Sequence, residues 1–120
     1  MKRLTGIAAS QGVSMGPAFV YRPEPLSFSE RIIQNPRSEV NRLLQAIEAV
    51  QGMLVALEEH TQETIGEDEA KIFEVHRMFL ADPAFADEIK AIISEQKLNA
   101  EAAVDRVANE LVEQFSAIDD

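Results

Sequence analysis

The tripeptide Ala81-Asp82-Pro83 constrains this chain most, because it divides one helical pattern into two. Proline disfavours helical dihedrals at the residue before it, so the preceding helix has to stop at Asp82. The Asp82 carboxylate can then accept from the free amides of a new first turn. Pro83 suits the first helical position, where no amide hydrogen is needed. Residues 66–93, GEDEAKIFEVHRMFLADPAFADEIKAII, therefore read as two short helices end to end. The first carries more apolar surface than one neighbour can cover. At 100° per residue Val75, Phe79, Ile72, His76, Leu80 and Phe73 fill an arc of roughly 160°, against about 100° for a simple core-facing stripe. Glu74, Arg77 and Lys71 fall on the opposite side, with Met78 among them. Either two neighbours cover the arc, or part of it faces a partner.

Upstream, Asn35-Pro36 reads as a cap followed by a first helical residue. Val40, Ile47 and Leu54 recur every seven residues, and Leu43, Val50 and Leu57 follow three residues after each, an a/d seam. An antiparallel hairpin within one domain is the favoured reading; a dimeric coiled coil is the rival. Gly66 is expected to end this long helix as a left-handed cap. Further on, Asn99 is expected to cap a last helix, with Leu98 and Ala103 as a hydrophobic staple. Val104, Val107, Ala108, Leu111, Val112, Phe115 and Ile118 follow helical spacing. Asp119 and Asp120 oppose the dipole at a helix C-terminus, which suggests a loop or a boundary before another element.

The N-terminal stretch differs. In LTGIAASQGVSMGPAFVY, residues 4–21, glycines punctuate small and β-branched residues; SQG reads as a turn and AFVY as a short strand. One or two strands make no stable sheet alone, so this segment needs partners that these residues do not supply. Pro23 and Pro25 mark an extended connector, which Ile32 and Ile33 should anchor to the helices. The fold class expected is mainly α: antiparallel helical hairpins in a bundle, comprising a long helix, two short helices split at Asp82-Pro83 and a last helix, with a short N-terminal β segment.

Charge narrows the partners. The formal net charge is −10. From Leu43 to Ala70 there is no Lys or Arg, while Glu48, Glu58, Glu59, Glu63, Glu67, Asp68 and Glu69 are acidic. Such a field repels nucleic acid and anionic lipid and favours a basic protein. No apolar run approaches the about 20 residues of a membrane span, and no continuous apolar stretch follows Lys2 and Arg3 as a signal peptide would require. The chain has no cysteine, so it offers no disulfide framework and no thiolate metal site; a cytoplasmic location fits.

Catalytic chemistry is not evident. His60 sits at the acidic end of the long helix without a second ligand at helical spacing. His76 has Phe73 at the position where a di-iron bundle would place Glu, and Leu80 one turn on. His60 reads as a solvated side chain and His76 as a packing or interface histidine. There is no phosphate-binding glycine loop, no activated serine and no metal cluster. Neither a catalytic, a cofactor nor a metal site is expected within these residues.

Four motifs nonetheless stand in a telling order: GIAASQGVSMGPAF, EVNRLLQAIEAVQGML, GEDEAKIFEVHRMFLADPAF and LNAEAAV. Together they resemble the start of enzyme I of the bacterial phosphoenolpyruvate:sugar phosphotransferase system, over essentially the whole chain. The pattern GE-x-x-x-x-IFE-x-H-x-M-x-L-x-DP is the specific part. The resemblance implies an enzyme that moves phosphate from phosphoenolpyruvate to a histidine and on to the small carrier HPr. It implies that residues 1–22 begin a swivelling phosphohistidine α/β domain, incomplete here. Residues 23–35 would then be a connector, and residues 36–120 an HPr-binding helical domain lacking its last helix. By the same resemblance the docking residues are Glu67, Asp68, Ile72, His76, Met78, Phe79, Asp82, Ala84 and Phe85. The basic rim of HPr would meet Glu67, Asp68 and Asp82.

The family's phosphorylated histidine falls beyond residue 120, as does the magnesium-dependent barrel through which the family forms homodimers. Gln11 replaces a proline found in many relatives. These residues are thus expected to bind and not to catalyse. Two alternatives stand beside this reading: an enzyme I-like module of a related multiphosphoryl transfer protein, and an acidic helical adaptor or coiled-coil dimer.

Overall fold

Four helices follow one another without an intervening sheet. In the computed structural model, which describes residues 1–118, they are α1 (Pro36–Thr64), α2 (Glu67–Ala81), α3 (Pro83–Gln96) and α4 (Ala100–Ser116). The expectations attached to Asp119 and Asp120 lie outside the described residues. Short connections make α1 and α2 one antiparallel hairpin and α3 and α4 another, with α3 and α4 packed on the first part of α1.

Two predicted starts carry their predicted chemistry. The Asn35 side chain accepts from the Ser38 amide, with Pro36 at the first helical position. The Asp82 carboxylate accepts from the Ala84 amide at 2.9 Å, and its extended backbone ends α2. The core gathers where α3 and α4 meet α1: Leu43, Ile89, Ile92, Ile93, Leu98, Ala100, Ala102, Ala103 and Val107 are buried. Leu98 and Ala103, the expected staple, both belong to it. Val40, Ile47 and Ile33 pack at its border.

The heptad seam is closed unevenly. Leu43 is buried, whereas Val50 and Leu57 are 41% and 46% exposed. The second hairpin covers only the start of α1, and beyond it α2 alone lies against the seam. The hairpin reading of the long helix is thus the one realised.

Four expectations need correction. Gly66 is not a left-handed cap: its φ of 164° is ordinary extended backbone, and it serves as the N-cap residue of α2. Helix α1 stops instead through the Ile65 and Gly66 amides, both donating to the Thr61 carbonyl. Asn99 occupies the N-cap position of α4 but makes no side-chain cap bond; Glu39 of α1 reaches across to accept from the Ala100 amide at 2.8 Å. The AFVY run pairs with nothing and residues 1–31 contain no strand, as follows from an unaccompanied strand having no edge to join. The expected bend does form at residues 9–12, where Gly12 has a φ of 112°. Finally, Ile33 packs against the core but Ile32 is 73% exposed. Ile32 anchors by backbone instead, in an isolated antiparallel bridge with Leu98.

That bridge sits in a cluster of polar contacts. The Ile33 amide donates to the Lys97 carbonyl at 2.7 Å, and the Asn99 amide to Arg31. The Asn99 side chain, on a residue only 1% exposed, accepts from the Arg31 amide and donates to the Ser29 carbonyl and to Glu101. Arg42 of α1 forms a two-pronged pair with the Glu101 carboxylate and also reaches Glu39. The backbone amide of Glu101, then Asn99 and Arg42, hold the Glu101 carboxyl below the usual range, against the opposing effect of partial burial. Its partners push the Arg42 guanidinium further up.

Candidate protein-docking face

Helix α2 is held from one side only. Its sole buried residue is Ala70; Phe73, Arg77 and Leu80 are half-buried along the same stripe. That stripe follows the spacing of three and four that puts residues on one face. Arg77 departs from its expected place on the solvent side. Its guanidinium lies 2.8 Å from the Glu58 carboxylate of α1, and its Nε is buried without a hydrogen-bond partner. Snorkelling explains this, since the aliphatic stem of an arginine covers apolar surface while its head finds charge.

The opposite face is open and apolar. Ile72 is 55%, Val75 60% and Phe79 45% exposed, and Met78 on the flank is 67% exposed. The wide arc read from the sequence therefore divides. Phe73 and Leu80 turn toward α1, while Ile72, Val75 and Phe79 face outward. His76 is also exposed, with its ring edge-on to Phe73 at 6.5 Å between centroids. At the corner between α2 and α3 the Phe79 and Phe85 rings lie 5.0 Å apart. Phe85 is half-buried against the core, so Phe79 is braced from behind.

Acidic groups stand at both ends of this face. Glu67 and Asp68 begin α2, where negative charge also suits the helix dipole. Asp82 closes it, its carboxylate engaged by one cap bond and otherwise exposed. From Glu67 to Asp82 the face runs about 22 Å at 1.5 Å per residue. Asp68 is less free than its position suggests, because Lys71 pairs with it at 2.7 Å.

The nine residues singled out from the sequence thus fall in two groups. Met78, Phe79, Asp82, Ala84 and Phe85 gather at the corner between α2 and α3. Glu67, Asp68, Ile72 and His76 extend along α2. Sequence reasoning left out Val75, although it lay within the apolar arc. It also left out Val50 and Leu54 of α1, which join Val75, His76, Phe79 and Leu80 around a cleft of about 380 Å³ beside the face. The incomplete cover of the seam was the signal that could have added them.

Among the described residues no three His, Cys, Asp or Glu side chains are placed to hold a metal ion. No helix of the described residues is long and apolar enough to cross a membrane.

Comparison with known proteins places these observations. The family described as PEP-utilising enzyme, N-terminal, matches residues 5–120. The phosphoenolpyruvate-protein phosphotransferase of Latilactobacillus sakei is 37% identical over 118 residues, which is 98% of this chain and 21% of that protein. The protein of the same name from Priestia megaterium is 35% identical over 118 residues, again 98% and 21%. That of Enterococcus faecalis is 36% identical over 117 residues, 98% of this chain and 20% of the relative. The chain therefore spans about a fifth of the length of the curated relatives it matches.

Proposed function

The chain belongs to the N-terminal family of PEP-utilising enzymes, and from that membership we propose that it is the N-terminal part of an enzyme I whose open α2 face docks the phosphocarrier HPr. On this reading residues 36–120 are the docking unit, lacking its last helix. Residues 23–35 are the connector, and residues 1–22 belong to the swivelling phosphohistidine domain. The complete enzyme passes phosphate from phosphoenolpyruvate through a histidine to HPr, acts as a homodimer in the cytoplasm and uses Mg2+. The side chains described here provide no donor set that fits that ion, and nothing on this face is assigned to it.

One observation carries the reading: four large apolar side chains of α2, Ile72, Val75, Met78 and Phe79, stand 45% to 67% exposed between acidic ends.

The division of labour follows from physical chemistry. The acidic field speeds encounter with a basic carrier and selects its orientation, while contributing modestly to final affinity. Apolar anchors slow dissociation once docked. Phe79, braced by Phe85, is a rigid anchor; Met78 supplies an adaptable contact.

Titration of isotope-labelled HPr with the chain tests this. Salt-sensitive shift changes are expected at micromolar to millimolar concentration. Phe79→Ala and Met78→Glu should each weaken binding about tenfold, a modest hot-spot loss, with helix content intact. Absence of shift changes with a folded chain overturns the docking reading; unchanged affinity in both variants moves the face elsewhere.

A further inference from the structure

The Met78 thioether at the edge of the α2 face, an adaptable contact in docking, is also open to oxidation. Met78 is 67% exposed. The chain contains four methionines and no cysteine, so within these residues no thiol competes with the thioethers for an oxidant. A thioether needs no deprotonation to react, and its oxidation depends on the access of the oxidant to sulfur.

We infer that Met78 is a modification site at which oxidation by a hydroperoxide switches the docking face off. In the step, a sulfur lone pair attacks the distal peroxide oxygen. The S–O bond forms as the O–O bond breaks. Sulfur is oxidised by two electrons, and the peroxide is reduced to water or an alcohol, the departing oxygen taking up the proton. The product is methionine sulfoxide.

The consequence follows from position. A flexible apolar side chain becomes polar, on the flank of a face formed by Ile72, Val75 and Phe79. A partner closing over it buries a strong acceptor among apolar groups, which is costly without a donor. The other methionines lack that leverage. Met1 and Met15 lie in the exposed N-terminal segment, and Met53, 63% exposed, is on α1 outside the candidate face. Reversal requires a sulfoxide reductase.

This inference rests on the reading of α2 as the HPr-docking face and concerns its regulation. The test treats the chain with hydrogen peroxide, maps sulfoxides by peptide mass, checks helix content by circular dichroism and titrates labelled HPr. Met78→Leu and Met53→Leu are carried in parallel. The reduced chain is expected to bind, and the oxidised chain to bind about tenfold more weakly or worse. Oxidised Met53→Leu should behave like the oxidised parent; Met78→Leu, whatever its own untreated affinity, should bind the same before and after peroxide; and reductase treatment should restore the parent. Parental binding as tight after Met78 is mapped as sulfoxide overturns the inference while leaving the docking reading standing. An equal loss in oxidised Met78→Leu does the same. Failure of the reduced chain to bind overturns the docking reading and this inference with it.

Discussion

Asn99→Ala should destabilise the chain by about 2 kcal/mol. The side chain makes three hydrogen bonds: it accepts from the Arg31 amide at 2.8 Å and donates to the Ser29 carbonyl at 3.2 Å and to the Glu101 carboxylate at 2.9 Å. Each is worth about 0.5–1.5 kcal/mol net, so the sum runs from about 1.5 to 4.5 kcal/mol. The true value belongs near the lower end, because Arg31 and Glu101 are not fully buried and can recruit water. Urea titration followed by circular dichroism measures it. With a slope of about 1–3 kcal/mol/M for a domain of this size, the midpoint should fall by about 1 M at constant slope. Asn99→Asp is the sharper variant. It keeps the acceptor for Arg31, removes both donors and sets a carboxylate beside Glu101, so at neutral pH it should be at least as unstable as Asn99→Ala. A midpoint shift equivalent to less than about 0.5 kcal/mol for Asn99→Ala, in the range of an ordinary surface change, would show that the connector is not held through this side chain.

Two further predictions concern the same end of the molecule. The Glu101 carboxyl lies below its ordinary value of 4.5 in the folded chain. Its contribution is therefore fully present above the unfolded value and is lost as pH falls through the lower folded value; urea midpoints of the parent and Glu101→Gln should differ near neutrality and converge in acid. Lys97 ends α3 in the left-handed region, at φ 54°. Lys97→Gly should therefore stabilise the chain by about 0.5–1 kcal/mol, the αL penalty less the entropy of a freer unfolded chain; thermal melts read this as a raised midpoint.

What could be read in advance was local. Asn35-Pro36 and Asp82-Pro83 announce helix starts because cap and proline act within one turn, and the structure realises both. The apolar arc of α2 was legible because helical periodicity alone defines it. What escaped depends on pairs distant in the chain. Glu39 serves α4 from 61 residues away, and Asn99 spends its amide on the connector rather than on its own helix. A residue type suited to capping does not reveal which amide it will meet. Arg77 was misplaced for a related reason: its helical position opposite the apolar arc put it outside, while Glu58 on the neighbouring helix made the half-buried position acceptable. Gly66 looked like a left-handed cap only because glycine is the usual occupant there. The two-residue link between α1 and α2 needed extended backbone at that position instead.

The break at Asp82-Pro83 does more than end one helix and begin another. Suppose α2 ran on unbroken from the stripe Ala70, Phe73, Arg77 and Leu80. The same face would then continue through Ala84, Asp87, Glu88, Ala91 and Glu95, and all five are exposed in the structure. The residues buried in α3 are Ile89, Ile92 and Ile93, whose mean direction lies about 137° round the axis from that continuation at 100° per residue. An uninterrupted helix would thus present acid to the core and three isoleucines to water. The break resets the phase, so that α3 contributes three core residues and α2 only one. Stability is concentrated where α3 and α4 meet the first part of α1. Helix α2, pinned by one stripe and braced at its end through Phe79 and Phe85, is released from filling the core and can leave its apolar face open. The proline is therefore the local cause of the separation between the packed end of the four helices and the end that carries the proposed docking face.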